Sequence, residues 1–153
     1  MCIRDRVLII SSDKDFQQLQ RYPNIKQYSP VHKNFIYCEN PLNFLREHVL
    51  RGDASDGIPN ILSDSDTFVI DNKRQKPLSQ KKIDIMKENV PEHLEENYQR
   101  NKLLVDFTMI PPNYQQIILD EYNKPPEVQG REKLFNYFMK HNLASLMETL
   151  EEF

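Results

Sequence analysis

The apolar positions of this chain fall into two regimes, a short extended one and a longer helical one. Val7-Leu8-Ile9-Ile10 is an unbroken apolar run ending in Ser11-Ser12-Asp13. Such a run predicts a strand buried on both faces, as in a parallel sheet. Asp13 or Asp15 then opens a helix with Phe16, Leu19 and Tyr22 along one side, stopped by Pro23. Residues 25–29 and 34–39 pattern as two short strands of a hairpin that turns at Pro30. Asn40 suits an N-cap and Pro41 a first helical residue; Leu42, Leu45 and Val49 form the stripe of that helix, and Gly52 suits its stop.

A loop over 53–60 follows, and residues 63–79 are polar with little periodicity, predicting a long loop. From Gln80 the spacing turns helical. The predicted segments are 81–88, 93–107 (ended by Ile110-Pro111-Pro112), 114–122 (ended by Pro125-Pro126), 131–141 and 143–151. The expected fold class is an α/β fragment, the end of a parallel sheet plus a short hairpin. A mainly α-helical C-terminal region with a helix–hairpin–helix-type element follows it. Leu134, Phe135, Phe138, Leu143, Leu146 and Leu150 are expected as core. The strand at Val7 has almost no chain before it, and Met1 to Arg6 carry no helix, linker or targeting pattern. Those six residues are expected to be a truncation or assembly scar.

Composition adds bounds rather than an answer. The chain has 153 residues, 39% hydrophobic and 28% charged, which suits a globular domain with a core. No apolar run approaches the ~20 residues of a membrane helix. Two cysteines, Cys2 and Cys38, make neither a disulfide framework nor a metal-ligand spacing, which favours a reducing cytoplasm. The net charge of −3 gives no bulk attraction to nucleic acid, although basic residues gathered on one face still permit it. The four histidines are scattered and are expected at the surface or in the core.

Two acidic constellations carry the chemistry. In Ser11-Ser12-Asp13-Lys14-Asp15-Phe16-Gln17-Gln18-Leu19, two carboxylates two residues apart follow a strand end, where open α/β sheets place ligands. Extended backbone sets such a pair roughly 6–7 Å apart on one side, a spacing that can serve two cations about 4 Å apart. The competing reading is that both aspartates cap the next helix. In Gly52-Asp53-Ala54-Ser55-Asp56-Gly57-Ile58-Pro59-Asn60-Ile61, Asp53 and Asp56 stand one helical turn apart, and Gly57 and Pro59 impose a tight turn. A turn of this kind can offer backbone N–H groups to a DNA phosphate, or be an ordinary solvated loop.

Taken together, Ser-x-Asp-x-Asp-x-x-Gln-Leu and, about forty residues on, Gly-Asp-x-Ser-Asp-x-Ile-Pro resemble the 5′-nuclease (flap endonuclease) superfamily. Within it, the chain is most similar to the C-terminal portion of the T-even bacteriophage ribonucleases H. The stretches 22–30, 103–107, 110–111 and 133–138 also carry that likeness. The resemblance implies a Mg²⁺-dependent 5′-to-3′ exonuclease and flap endonuclease with RNase H activity that removes RNA primers during phage DNA replication. Two Mg²⁺ ions are implied, with Mn²⁺ able to substitute. By matching position, Asp13 serves the first metal and Asp15 the second, while Asp53 and Asp56 hold the second largely through its water shell. Residues 7–51 would be the C-terminal part of the catalytic α/β domain, and 52–153 a helical nuclease and DNA-binding domain. The family's other carboxylates lie upstream and match nothing here, so this portion alone is expected to be inactive.

The likeness also implies partners: branched or flap DNA, RNA–DNA hybrid and, through the C-terminal helices, the phage single-stranded-DNA-binding protein. It implies a monomer, with no membrane, in the cytoplasm of an infected bacterium. Gly57, Ile58 and Asn60 of the tight turn are the expected DNA contacts, with Lys73, Arg74, Lys76, Lys81 and Lys82 beside them as salt-sensitive phosphate contacts. Family members often have Asn where Gly57 stands and Gly where Asn60 stands. Leu62-Ser63-Asp64-Ser65-Asp66 replaces a Gly-x-Gly pattern that helps hold a monovalent cation, so the resemblance does not carry that site over. Asp64, Asp66 and Asp71 are expected to be solvated. The alternative from a different class is a non-catalytic duplex-binding helix–hairpin–helix module whose aspartates are structural; a small-molecule phosphatase leaves the turn and the basic loop unexplained.

Overall fold

The computed structural model describes residues 6–124 and 131–147. The chain forms two compact units, Met1–Pro111 and Pro112–Phe153. The first begins with strand β1 (Val7–Ile10), a 3₁₀ segment over Lys14–Arg21, β2 (Ile25–Ser29) and β3 (Asn34–Ile36). β1 pairs with β2 in parallel, Val7 opposite Ile25, and β2 pairs with β3 antiparallel, Tyr28 opposite Phe35. Among the described residues the strand order is β1-β2-β3. The parallel pairing is as the sequence predicts, but the burial on both faces is not: Val7, Leu8 and Ile10 are all exposed. Side chains project from the two faces of a sheet, so their burial depends on what packs over those faces, and among the described residues these three stay open.

The segment after β1 is 3₁₀ rather than α, and its inward residue is Gln18 instead of the Phe16–Leu19–Tyr22 side; Tyr22 is exposed. Gln18 is buried because its amide is fully used: Nε2 donates to the Val105 carbonyl and Oε1 accepts from the Phe107 N–H. β3 stops at Ile36, short of Glu39.

Helix α1 (Pro41–Arg51) starts as its sequence dictates, with the Asn40 side chain accepting from the Asn43 N–H and Pro41 in the first turn. Its buried face is Leu45, His48, Val49 and Leu50; Leu42 lies exposed at the other edge of the predicted stripe. α1 is the hub of this unit, packing on the 3₁₀ segment, α2 (Gln80–Glu88) and α3 (Glu95–Val105). Leu45 and Val49 meet Ile58 and Val105, while Leu50 meets Ile61, Ile83 and Met86; Tyr98 touches both clusters. Each such aliphatic residue removed from water contributes about 1.5–3 kcal/mol. Glu47 receives Arg51 Nε at 2.8 Å and Lys87 Nζ at 2.6 Å, tying α1 to α2.

The predicted 93–107 helix is broken into a 3₁₀ turn (Glu92–Leu94), α3 and a second 3₁₀ turn (Phe107–Met109). Asp106 ends α3 and caps that last turn by accepting from the Thr108 N–H. The stretch between α1 and α2 has no helix, so α1 leads into a closed turn and then an irregular loop.

The second unit holds α4 (Pro112–Asn123), α5 (Arg131–Lys140) and α6 (Ala144–Met147). Of the expected C-terminal core, Phe138 is buried, Leu134 and Leu143 are half-buried, and Phe135 and Leu146 are exposed; Leu150 lies outside the described residues. Among the described residues, no helix is long and apolar enough to cross a membrane.

Candidate metal centre

The stretch carrying Asp13 and Asp15 is fixed from the sheet. Gln27, fully buried on β2, donates its amide to the carbonyls of Ser11 and Asp13 at 3.0 and 2.6 Å. Ser12 and Ser29 share a hydroxyl hydrogen bond of 2.7 Å. The chain therefore leaves the strand end along a set path. Asp13 Oδ1 then accepts from the Asp15 N–H at 2.9 Å, which is the capping role the sequence offered as its alternative. Asp13 itself is exposed, whereas Asp15 turns toward α1.

The second acidic segment is held more tightly still. Asp53 and Ile58 exchange backbone hydrogen bonds, 2.8 Å from the Asp53 N–H and 2.7 Å from the Ile58 N–H, closing a short antiparallel loop. Gly52 starts that loop at φ +65°, and a Cβ there would sit 2.4 Å from the Ile58 carbonyl oxygen. Only glycine satisfies both conditions. Polar side chains of α3 hold the far side. Asn101 donates to the carbonyls of Val49 and Pro59, Asn97 to those of Ile61 and Ser63, and Arg100 to those of Pro59 and Ser63. Burial lowers the Arg100 pKa, opposed by Asp64 and Glu96.

These supports bring Asp15 and Asp53 together, with His48 between them. His48, 6% exposed, places Nε2 2.7 Å from Asp15 Oδ1 and 3.9 Å from Asp53 Oδ2. One ligand atom from each of the three residues lies within 4.8 Å of the other two. Lys14 Nζ sits 2.8 Å from Asp53 Oδ2, an ammonium at the mouth of the cluster. Burial alone would raise the Asp53 pKa; hydrogen bonds from Lys14 and Ser55 outweigh it and hold the carboxyl at about 2. The Lys14 pKa is raised in turn, chiefly by that same bond to Asp53. Asp53 is thus an anion at any working pH, in a pocket that already attracts a cation.

Of the four predicted metal residues, Asp15 and Asp53 fall in the described three-residue cluster, while Asp13 and Asp56 are exposed residues outside it. His48 was not legible as a ligand, because it has no His or Cys at metal spacing. The available signal was its place in the last turn of α1, ahead of Gly52-Asp53. A cleft of about 520 Å³, lined by Lys14, Phe44, Glu47, His48, Arg51 and Gly52 among others, opens onto this side.

The expected nucleic-acid residues divide. Gly57 is exposed, but Ile58 and Asn60 are buried, and the N–H groups of all three are used within the chain, by Ala54, Asp53 and Gln75 respectively. The Asn60 side chain donates to the Lys76 carbonyl and accepts from the Leu62 N–H and the Ser63 hydroxyl. The turn's amides therefore hold the loop itself together. Lys73 forms ion pairs with Asp64 and Asp66, and Lys76 lies 3.8 Å from Asp64, so these two aspartates are paired rather than simply solvated. Arg74, Lys81 and Lys82 are exposed.

A small sheet end, a closed acidic loop and the Asp15–His48–Asp53 cluster beside α1 make up the site. Residues 42–153 match the family model described as "T4 RNase H, C terminal", and the chain belongs to that family. Among curated proteins it is similar to the Ribonuclease H of Enterobacteria phage T4, with 32% identity over 162 residues. That alignment covers 97% of this chain and 52% of the relative, so the chain spans about half the length of the protein it matches.

Proposed function

We propose that the chain is the C-terminal part of a divalent-metal-dependent 5′-to-3′ exonuclease and flap endonuclease with RNase H activity, acting on RNA primers during phage DNA replication. The observation that carries this reading is the convergence of Asp15 and Asp53, from segments 38 residues apart in sequence, on one cation-attracting point. The donor set fits a divalent ion: two carboxylate oxygens within reach of one another, one of them held anionic, beside an ammonium. Of the two ions, Asp15 and Asp53 would hold the second, which exposed Asp56 would reach through water, and exposed Asp13 would serve the first. Bound Mg²⁺ or Mn²⁺ lowers the pKa of coordinated water and neutralises charge developing on a phosphodiester.

The remaining work belongs to this chain. Gln27 and the Gly52 loop keep the two carboxylates in register, so little reorganisation is needed when charge develops. Lys14, half-exposed, can leave Asp53 for a phosphate oxygen when a cation takes its place. Arg74, Lys81 and Lys82 would steer the duplex or RNA–DNA hybrid without reading its sequence. A docking site for a single-stranded-DNA-binding protein on the C-terminal helices also belongs to the proposal. Because the chain spans 52% of its relative, residues 1–153 alone are expected to turn over little.

The experiment is cleavage of a 5′-labelled flap and of an RNA–DNA hybrid by the full-length polypeptide containing these residues, with and without Mg²⁺. Asp15→Asn and Asp53→Asn should each lower cleavage at least roughly 100-fold while leaving duplex affinity nearly unchanged. Cleavage that survives both substitutions, or persists in chelator, contradicts the proposal.

A further inference from the structure

His48 is a buried imidazole whose nitrogen lies between two carboxylates proposed to hold a cation, and neither acidic motif accounts for it. In the structure Nε2–H donates to Asp15 Oδ1, since an ionised carboxylate can only accept. The ring is fixed by its backbone in the last turn of α1, by burial, and by Phe44 one turn earlier, whose ring centroid is 5.7 Å away. Its separations of 2.7 and 3.9 Å from the two oxygens bracket the ~3 Å between neighbouring donors around an octahedral ion with bonds of roughly 2.1 Å. A shift of a few tenths of an ångström on the short side converts the hydrogen bond into a ligand edge. The Lys14 ammonium is 2.8 Å from the same Asp53 oxygen, so an ion held there takes its place.

Resting on the metal-dependent reading above, we propose that His48 Nε2 is itself a ligand, making an Asp15–His48–Asp53 centre that favours a divalent transition-metal ion over Mg²⁺. With Nε2 on the ion, the proton that remains on the ring sits on Nδ1, and it is this proton that the experiment below reads. Mg²⁺ takes oxygen donors almost exclusively and gains little from an imidazole, whereas later first-row ions gain much. The adjoining cleft is lined by His48 and by Lys14, the residue paired with Asp53.

Co²⁺ is the probe, because a bound imidazole N–H next to high-spin Co²⁺ gives a solvent-exchangeable, strongly downfield-shifted proton resonance. The full-length protein with Co²⁺ should show one such resonance, lost in D₂O and in His48→Ala and His48→Gln. The glutamine variant keeps a polar group of related size and guards against misfolding. Both substitutions should weaken Co²⁺ binding by about 10–100-fold while changing Mg²⁺ binding less than about 3-fold. Absence of the resonance, or equal losses for both ions, overturns the assignment and leaves His48 as a residue that only positions Asp15. Asp15→Asn separates the two proposals. If it leaves Co²⁺ binding intact, the metal-centre reading fails as a whole; if it abolishes binding while the His48 variants do not discriminate between ions, only the ligand role fails.

Discussion

Asn101 is fully buried and spends both amide hydrogens on carbonyls, that of Val49 and that of Pro59, which it shares with Arg100. Val49 lies in the last turn of α1, where its carbonyl would ordinarily accept from the N–H four residues on. That N–H belongs to Asp53 and is turned to Ile58 instead, to close the acidic loop. Asn101 supplies the missing donor at 2.9 Å and holds the Pro59 carbonyl at the same distance. Asn101→Leu keeps the branched outline, adds some bulk and removes both donors. The Pro59 carbonyl keeps its bond from Arg100, so the Val49 carbonyl is the one left without a partner, at a cost of about 1–3 kcal/mol, here about 2 kcal/mol. For a unit of this size that corresponds to a fall in Tm of roughly 8–15 °C. Asn101→Asp should be worse, since a carboxylate facing two carbonyls adds repulsion. The assay is thermal and urea unfolding followed by far-UV circular dichroism, because the chain has no Trp to report by fluorescence. A leucine variant within about 0.5 kcal/mol of the wild type would refute the claim that α3 clamps the loop.

Other expectations test the same scaffold. Gly52→Ala must relieve a contact of 2.4 Å at positive φ, so it should destabilise by more than about 2 kcal/mol and weaken divalent binding, whereas Gly57→Ala, with open space around it, should cost about 1 kcal/mol; urea midpoints distinguish them. Asp53 has a folded pKa of about 2 against an unfolded value near 3.9, so its contribution, on the order of 2 kcal/mol, is present above pH ~5 and lost as pH falls toward 2. Asp53→Asn should therefore flatten the acid limb of stability against pH, and an unchanged limb would be contrary evidence. Because Lys73 is engaged by Asp64 and Asp66 while Arg74, Lys81 and Lys82 are exposed, Lys73→Ala should change the salt dependence of duplex binding less than the triple Arg74/Lys81/Lys82→Ala variant; filter binding at several salt concentrations gives the slopes.

Local rules made part of this molecule legible. Asn40 and Pro41 mark the start of α1 through an interaction three residues long, and Gly52 marks its end through backbone geometry alone. The hairpin and the helical C-terminal region follow from spacing. Asp15 and Asp53 were named from their motifs, and the structure brings their side chains together around His48. His48, Gln18, Gln27 and Asn101 escaped because each is a polar residue buried by a partner far away in sequence. Gln18 is satisfied by residues 87 and 89 positions distant, and Asn101 by one 52 positions away. Periodicity counts such residues as surface. β1 differs in the opposite sense: its apolar run signals a buried strand, but burial depends on what packs over the faces of the sheet, and among the described residues Val7, Leu8 and Ile10 stay exposed. The same limit applies to the turn at Gly57–Asn60, where only the folded loop reveals that its amides are spent internally.

The account rests on one shared cation between Asp15 and Asp53, and a double-mutant cycle on divalent-ion affinity tests that most directly. Mn²⁺ binding to the full-length protein would be measured by the free-ion resonance for wild type, Asp15→Asn, Asp53→Asn and the double variant. If both carboxylates hold the same ion, each single change should weaken binding by at least roughly tenfold, and the double change should add little to the worse of the two. Losses that multiply independently, or single variants that bind as the wild type does, would contradict a common centre.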